Sequence, residues 1–445
     1  MPDLLPPKPL NRVEQALSRT RAASGIERRG RVVQLIGLVI ESEGPAAAVG
    51  DLCRILTDRN PAGSLAEVVG FRNSRLLLMP LGEIQGIGPG SEVIATADTL
   101  RFPAGNALRG RVIDFMGRPI DDRGPIVADQ WLPMRSHPPH ALRRQRIDTP
   151  FETRIKALDT FIPCGRGQRL GIFAGSGVGK STLMGMLAGQ SESEVNVIAL
   201  IGERGREVRE FIERDLTEEG RKKSVVIVAT SNEPALARLR GAFLAMAIAE
   251  RFRDQGLNVL MMMDSVTRFA MAQREIGLSV GEPPATRGYP PSVFSLLPQL
   301  LERAGTNERG AITGFFTVLV EADDMNDPIS DATRSILDGH IVLSRELATS
   351  NHYPAIDVLE SVSRLTSDLL SPQQKQTLAR VRDLMAVYRR NQDLIQIGAY
   401  TAGTNSTIDA AIRLREPIQT FLRQPMDLGV PSAESWKQLS GMLGS

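Results

Sequence analysis

The stretch AGSGVGKS at residues 174–181 constrains what this chain can fold into more than any other feature. Its spacing matches the phosphate-binding loop pattern G-x-x-x-x-G-K-[ST], with Ala174 in place of the first glycine. A bare Gly-Lys-Ser/Thr triplet is expected about 0.2 times by chance in a chain of this length. The flanking sequence therefore decides whether the match is a real phosphate-binding loop. The loop follows the apolar run RLGIFA (169–174) and opens the helical pattern KSTLMGMLAG (180–189), which is the strand–loop–helix context that such a loop requires.

Apolar runs alternate with helical patterns between about residues 145 and 345. The runs are short and continuous, and the clearest helical pattern between them covers residues 234–256. Continuous runs are typical of strands that crossover helices bury on both faces. We therefore predict an α/β fold built on a parallel sheet. Its strands are expected at 169–174, 195–202, 224–230, 258–264, 312–320 and 340–345.

Different patterns flank this central region. Residues 30–97 consist of short β-rich runs separated by Gly, Pro and Asn turns, which predicts a small barrel or sandwich. After about residue 366 the pattern becomes helical, with Ser371 and Pro372 suited to a helix N-cap and first helical position. Residues 10–24 have helical spacing beside several arginines. This fits either a short helix capping the body or a docking helix for a partner or an acidic membrane surface.

The composition is that of a soluble globular chain, since 42% of its 445 residues are apolar and 23% are charged. A net charge of +2 gives no electrostatic reason to expect nucleic acid as a partner. Cys53 and Cys164 fall in different predicted domains, so no disulfide framework is expected. The longest apolar runs, 32–40 and 242–249, are too short to span a bilayer, and we interpret them as a strand and part of a buried helix. We expect the protein in the cytoplasm or on a membrane face.

The glycine-rich loop has the residues that a nucleotide site needs. Gly175, Gly177 and Gly179 leave the backbone amides free to converge on phosphate oxygens at a helix N-terminus. Lys180 is expected to bridge the β- and γ-phosphates, and Ser181 to ligate Mg²⁺. Alanine at position 174 adds only one methyl group where the strand ends. The predicted nucleotide-binding residues of the loop are Ala174, Gly175, Ser176, Gly177, Val178, Gly179, Lys180, Ser181 and Thr182.

Two acidic residues follow buried strands and are expected at the carboxyl edge of the sheet, where ligands of α/β sheets bind. Asp264 ends the run NVLMMMD and is predicted to hold a Mg²⁺ water, although an acidic residue at a strand end can also cap a helix. Glu203, in IGERGRE (201–207), is suited to orient and polarise an attacking water. Its neighbours Arg204, Arg206 and Glu207 leave open a solvated ion-pair cluster instead.

Three more side chains are candidates, and two of them have an alternative role. Arg268 comes four residues after Asp264 and is placed to reach the γ-phosphate, or to form a salt bridge with Asp264 or Glu275. Arg364 is far along the chain from the loop, but ring ATPases often complete each site with an arginine of the neighbouring subunit. Tyr353 is suited to stack on adenine or to pack in the core.

Seven motifs occur in this order over about 200 residues: GIFAGSGVGKSTL, IGERGREVREF, DSVTRFA, GYPPSVFSLLPQLLERAG, EADDMNDPISD, ILDGHIVLSREL and HYPAIDVLESVSR. Together they resemble the catalytic ATPases of type III protein export, which are related to the β subunit of the rotary ATP synthase. The resemblance covers about residues 30 to 440. It implies a RecA-like P-loop nucleotide domain flanked by an N-terminal β-barrel and a C-terminal helical domain. The implied boundaries are 1–24 for the tail and helix, 25–97, 98–365 and 366–445.

The resemblance assigns roles to the matching positions. It makes Glu203 the catalytic carboxylate, with Arg204 beside it in GER and Lys180 as the catalytic lysine. Arg268 becomes a phosphate contact, and Arg364 an arginine finger for the adjacent protomer. Tyr353 becomes the adenine-stacking ring, and it acts alone because the stretch MDLGVPSAES directly after segment 418–425 has no aromatic residue, whereas the synthase β subunit has one shortly after its matching segment.

The family resemblance also implies a function and partners. It implies a homohexamer that hydrolyses ATP with Mg²⁺ at the cytoplasmic face of the inner membrane. The implied partners are stalk and regulatory proteins, chaperone–cargo complexes and a membrane export gate. The segment 389–412 resembles the flagellar branch more than the injectisome branch. Two other classes are weighed: a non-catalytic ring subunit, against which Glu203 argues, and an RNA-tracking ring helicase, against which the near-neutral charge argues.

Overall fold

The chain divides into two compact units, residues 1–99 and 100–445. The computed structural model describes residues 27–96, 101–134, 138–320, 324 and 326–443. The helix predicted at 10–24 lies outside the described residues. Each unit has its own apolar core, and the two cysteines are free and buried, one in each core.

The first unit is a closed six-stranded barrel, which settles the choice between barrel and sandwich. Its strand order is β1-β2-β5-β4-β3-β6. The run 32–40, interpreted above as one strand, is instead a hairpin, because Gly37 adopts a φ of 58° and turns the chain between β1 and β2. The strands are β1 (Arg29–Ile36), β2 (Val39–Glu43), β3 (Leu52–Thr57), β4 (Asn60–Arg72), β5 (Arg75–Pro80) and β6 (Glu92–Ala95).

The second unit is built on a nine-stranded sheet with the order β17-β16-β10-β15-β13-β11-β12-β8, to which β14 adds by pairing with β15. Its central strands pair in parallel and are buried along their length, which confirms the predicted α/β sheet. A separate ribbon is formed by β7 (Arg101–Ala104) and β9 (Gln130–Pro133). The sheet strands are β8 (Val112–Asp114), β10 (Arg169–Ala174), β11 (Val195–Ile201), β12 (Ser224–Ala229), β13 (Asn258–Asp264), β14 (Gly305–Thr306), β15 (Ala311–Leu319), β16 (Gly339–Leu343) and β17 (Ile356–Ser363).

Helices connect the strands and then continue alone to the end of the described chain. The run 242–249 lies within the buried helix α5, as interpreted. Ser371 caps α11 with a capping box that Gln374 completes, and Pro372 is its first residue. The helices are α1 (Lys156–Phe161), α2 (Lys180–Gln190), α3 (Gly205–Glu210), α4 (Glu218–Lys222), α5 (Ala235–Asp254), α6 (Val266–Val280), α7 (Pro291–Leu301), α8 (Pro328–Ile336), α9 (Arg345–Thr349), α10 (Thr366–Leu369), α11 (Pro372–Gln396), α12 (Ser406–Leu422) and α13 (Ser432–Leu443).

The two edges of the sheet carry different functional candidates. The phosphate-binding loop follows β10 at the carboxyl edge, where β11 and β13 also end. The last strand, β17, runs antiparallel to β16 and therefore returns the chain to the amino edge. There the Arg364 N–H donates to the Asp338 carbonyl at 3.0 Å, and the Asp338 N–H donates to the Arg169 carbonyl at 2.9 Å. Arg364 is thus anchored beside the first residue of β10.

Candidate nucleotide site

The phosphate-binding loop has the backbone shape that an anion cradle requires. Gly177 has a φ of 76° and Gly179 a φ of 98°, in the region that side chains disfavour. Gly179 is the N-cap of α2, so the free amides of the first turn of α2 lie at the loop. A Cβ built on Gly177 would meet nothing within 4 Å, which leaves open space above the loop. The sequence context therefore folds into an accessible helix N-terminus.

Lys180 lies between the two acidic residues predicted for the site. Its Nζ is 2.5 Å from Asp264 Oδ1 and 3.5 Å from Glu203 Oε1. All three side chains are largely buried, with exposed fractions of 12% for the lysine, 5% for the aspartate and 14% for the glutamate. The loop, the end of β13 and the turn after β11 thus bring together three groups that are far apart in sequence.

The buried charges change one another's proton affinity. Burial, and after it the charge of Asp264, raise the pKa of Glu203 to about 8 against the opposing charge of Lys180. Burial disfavours the charged form of Lys180, but the two carboxylates hold its pKa above the ordinary value. A hydrogen bond with Glu203 lowers the pKa of Glu207. Glu203 can therefore exchange a proton near neutral pH, which is the property required of a general base.

Asp264 does not cap the helix that follows it. The N-cap of α6 is Ser265, whose hydroxyl accepts the Arg268 N–H at 3.3 Å. The Asp264 carboxylate instead accepts a hydrogen bond from Thr317 Oγ1 at 2.8 Å. Thr317 lies on β15, the strand next to β13. Sequence reasoning did not identify it, because a threonine inside an apolar run is common. Asp264 is thus held in place from two sides.

Arg268 lies at the site without a carboxylate partner among the described residues. A Cβ on Gly202 would come within 2.7 Å of Arg268 Cβ, so the arginine packs against the turn that carries Glu203. Its Nε is buried and has no hydrogen-bond acceptor. The two salt bridges considered for it are absent, since Asp264 pairs with Lys180 and Glu275 pairs with Arg238 at 2.7 Å. This guanidinium is left available for an anion.

Arg204 is the candidate that the structure does not bring to the carboxylates. It is the N-cap of α3, and its side chain is 77% exposed and 3.9 Å from Glu207. Arg206 is also exposed and pairs with Glu210 at 2.6 Å. The ion-pair cluster considered for this turn therefore forms around Arg204 and Arg206, while Glu203 faces Lys180.

Tyr353 lies beside the phosphate-binding loop. A Cβ on Gly179 would be 3.4 Å from Tyr353 Cε1, so the ring edge approaches the loop at that glycine. The residue is 38% exposed and is therefore not packed in the core. Its carbonyl accepts the Gln424 N–H at 3.0 Å, which ties it to the segment after α12. An exposed ring next to the loop is placed to contact the base of a bound nucleotide.

Arg364 lies at the opposite edge of the sheet from its own phosphate-binding loop. The six residues of β10 separate the two edges by roughly 17 Å, which is farther than one side chain reaches. The Arg364 side chain is exposed and donates from Nη2 to the Arg334 carbonyl at 3.1 Å. It lines a recess of ≈ 320 Å³ with Asp331, Arg334, Ser335, His340 and Val362. Within one chain, Arg364 therefore cannot contact a nucleotide held by the loop.

Sequence models of known families match most of the chain. The nucleotide-binding domain of the ATP synthase alpha/beta family matches residues 154–363, and the beta-barrel domain of that family matches 32–97. The T3SS EscN ATPase C-terminal domain matches 370–441.

Whole-length relatives agree with these matches. The chain is 51% identical to the flagellum-specific ATP synthase of Bacillus subtilis (strain 168), with 94% of this chain and 96% of the relative covered. It is 48% identical to the type 3 secretion system ATPase of Xanthomonas euvesicatoria, with 93% and 94% covered. The chain belongs to the flagellar and type III secretion ATPase family. As a member of this family it is a nucleotide-binding enzyme, an ATPase.

A solved structure of this ATPase family has the same fold. The assembled ATPase EscN from the type III secretion system of enteropathogenic E. coli superposes with a TM-score of 0.88 at 44% identity, covering 93% of this chain and 100% of EscN. The three-part architecture of barrel, RecA-like nucleotide domain and helical domain, which the family resemblance implies, is confirmed. No helix in the described part of this ATPase is long and apolar enough to cross a membrane.

The hydrogen bond between Thr317 and Asp264 predicts a loss of activity on substitution. Thr317→Val keeps the shape of the side chain but removes a donor to a buried carboxylate, so we expect kcat/KM for ATP to fall about 10-fold. Steady-state ATPase assays measure the effect. Thr313→Val is the matched control on the same strand, because its hydroxyl accepts the Gly167 N–H near the amino edge. Equal activity of the two variants would contradict the role of Thr317.

The position of Tyr353 predicts an effect on nucleotide binding. Tyr353→Ala removes an aromatic face beside Gly179, and we expect the KM for ATP to rise about 3- to 10-fold with little change in kcat. Tyr353→Phe keeps the ring and should behave as the wild type. ATPase assays over a range of ATP concentrations separate the two parameters. An unchanged KM in Tyr353→Ala would exclude contact between this ring and the base.

Proposed function

We propose that this ATPase hydrolyses Mg·ATP to support protein export by the flagellar type III apparatus. The observation that carries the proposal is the position of Lys180 between Glu203 and Asp264, beside a phosphate-binding loop with open space above it. The 51% identity to the Bacillus subtilis protein favours the flagellar branch. The virulence-type secretion branch is the second candidate, because the Xanthomonas protein is 48% identical.

The residues present fit a magnesium ion held together with nucleotide phosphates. Mg²⁺ takes few protein ligands in such sites and completes its shell with water and phosphate oxygens. Consistent with this, the described residues contain no cluster of three or more His, Cys, Asp or Glu that could hold a metal alone. The Ser181 hydroxyl, on the first turn of α2, and the Asp264 carboxylate are the donors we assign to the ion. When bound, the ion would neutralise charge on the phosphates.

The roles of the other side chains follow from their surroundings. The loop amides and Lys180 bind the β- and γ-phosphates, and the Lys180 ammonium leaves its two carboxylates in part to do so. Glu203 then orients the attacking water and accepts its proton, which its raised pKa near 8 permits. Arg268 directs its unpaired guanidinium nitrogen to the γ-phosphate. Arg204 acts only as the neighbour of Glu203, since its side chain points into solvent.

We propose that the working form is a homohexamer in which Arg364 completes the site of the adjacent protomer. The position of Arg364 at the amino edge supports this arrangement, because its own loop is out of reach. The related EscN has been solved both as an assembled ATPase and in complex with its central stalk EscO. By analogy we assign this chain a stalk partner. Regulatory proteins, chaperone–cargo complexes and a membrane export gate complete the proposed partners, and nucleic acid is not among them.

We place the protein in the cytoplasm, associated peripherally with the inner membrane. The absence of a membrane-spanning helix among residues 27–96, 101–134, 138–320, 324 and 326–443 is compatible with this location. We retain 25–97, 98–365 and 366–445 as the proposed domain boundaries, which enclose the ranges matched by the three family models. The segment 1–24 is proposed as a separate tail and helix.

ATP hydrolysis by the purified chain distinguishes the proposed ATPase from a non-catalytic ring subunit and from an RNA-tracking ring helicase. We expect turnover that requires Mg²⁺ and that single-stranded RNA does not stimulate. Binding of ATP without turnover would identify a non-catalytic ring subunit, and stimulation by RNA would identify a helicase-like ring. Deletion of the gene in its host tests the branch, because loss of flagellar filaments is expected and loss of virulence-type secretion alone would favour the second candidate.

A further inference from the structure

A second cavity lies at the amino edge of the sheet, away from the nucleotide site. It is found where the chain enters β8 and β12, and its volume is ≈ 460 Å³. Four cationic side chains and one carboxylate surround it. The residues that line the cavity are Arg109, Gly110, Arg123, Glu218, Arg221 and Lys222.

Two of these arginines have buried N–H groups without acceptors. The Nε atoms of Arg109 and Arg221 are shielded from solvent and make no hydrogen bond. In the part of the chain that the structure describes, neither side chain forms an ion pair, and Arg109 lies over the ring of Phe252 with 5.7 Å between its guanidinium carbon and the ring centroid. Buried polar groups are almost always hydrogen-bonded in proteins. These two buried donors are therefore available to an acceptor that the described residues do not supply.

Two carboxylates of this region, Glu218 and Asp121, are already paired with other cations. Glu218 pairs with Lys222 at 2.8 Å on the exposed face of α4. Asp121 accepts from both Nε and Nη2 of Arg111, at 2.8 and 2.9 Å. Arg123 is fixed at the cavity by a 2.8 Å hydrogen bond from its Nη1 to the Gly110 carbonyl. Neither of these two carboxylates pairs with Arg109 or Arg221.

We propose that this cavity is a second anion site, which binds a small phosphate-type oxyanion such as pyrophosphate or the phosphate tail of a nucleotide. Guanidinium groups recognise phosphate oxygens through two parallel N–H donors each, and three of them line this cavity. Its volume lies in the range of small-molecule sites. A concave cavity of this size fits a small anion better than it fits the surface of a macromolecule.

The site is distinct from the ATP site in position. β12 lies four strands from β10 in the sheet order, which is about 19 Å across. The cavity is also at the amino edge, whereas the phosphate-binding loop is at the carboxyl edge. An anion bound here cannot contact Lys180.

Binding of inorganic pyrophosphate to the full chain tests the proposal. Calorimetric titration is performed on the Lys180→Ala variant, so that the phosphate-binding loop does not contribute. We expect one site per chain that is weakened at least about 10-fold by adding Arg109→Gln and Arg221→Gln. The matched control adds Arg209→Gln and Arg214→Gln, which remove the same charge from exposed arginines that already have carboxylate partners. This control should change the affinity less than about 2-fold.

Two further variants keep the test informative if the double substitution unfolds. Glu218→Gln frees Lys222 and should strengthen pyrophosphate binding about 3-fold, which misfolding cannot imitate. Arg109→Lys with Arg221→Lys keeps the charge but loses the paired donors, so weaker binding is expected. Absence of binding, or binding that these substitutions leave unchanged, would overturn the proposal. Binding only to vesicles that contain an anionic phospholipid would also overturn it, in favour of a lipid surface.

Discussion

Glu203→Gln is expected to lower kcat for ATP hydrolysis about 10²–10⁴-fold while leaving ATP binding nearly unchanged. The amide keeps the size of the side chain and its position beside Lys180, but it cannot accept a proton from water. The affinity is preserved because the loop amides and Lys180, rather than Glu203, are assigned to the phosphates. Single-turnover hydrolysis and equilibrium binding of a fluorescent ATP analogue measure the two properties separately.

Two further variants serve as comparisons for Glu203→Gln. Lys180→Ala should abolish turnover and also weaken ATP binding, since it removes a phosphate contact. Glu207→Gln is the matched control, because Glu207 is in hydrogen-bond contact with Glu203 but is not assigned to water, so only a small change is expected. Normal turnover by Glu203→Gln would refute the assigned chemistry, whatever the control does.

Arg364→Ala is expected to lower kcat roughly 10³–10⁵-fold, the range known for arginine fingers in related nucleotide hydrolases. Its guanidinium would stabilise charge that develops on the γ-phosphate of the adjacent protomer. ATP binding to the variant should persist, because the loop of each protomer is intact. Hydrolysis rates measured under assembly conditions, together with the oligomeric state of the same sample, give the result.

The control for this substitution concerns stability. The Arg364 side chain is exposed, and within the described part of the chain its hydrogen bond is to the Arg334 carbonyl, so its removal should change the free energy of unfolding by less than about 0.5 kcal/mol. Arg364→Lys keeps the charge but loses the planar fork, and an intermediate rate is expected. A fully active Arg364→Ala would show that the site needs no residue from a neighbour.

Local sequence patterns predicted most of the fold. Continuous apolar runs placed β10 and β13 at residues 169–174 and 258–264, where the structure has them, because strands buried on both faces leave an unbroken signal. The run 32–40 was wrongly interpreted as one strand. Its hydrophobicity continues through the turn, and only the positive φ of Gly37 reveals the hairpin.

The site residues could be predicted from the sequence only where they belong to a recognisable motif. Motif spacing indicated Lys180, Glu203 and Asp264, and the parallel order of strands brings them together. Thr317 was missed, since a hydroxyl within an apolar strand has no periodic signal. The separation of Arg364 from its own loop depends on the antiparallel pairing of β17, which no local pattern of residues specifies.

The central claim is that each active site is shared between two protomers, and mixing of inactive variants tests it most directly. Lys180→Ala protomers keep a working Arg364, and Arg364→Ala protomers keep a working loop. In randomly mixed rings, roughly a quarter of the interfaces would combine the two intact halves, so we predict that ATPase activity returns to about that fraction of the wild type. No recovery in mixtures shown to co-assemble would contradict the account.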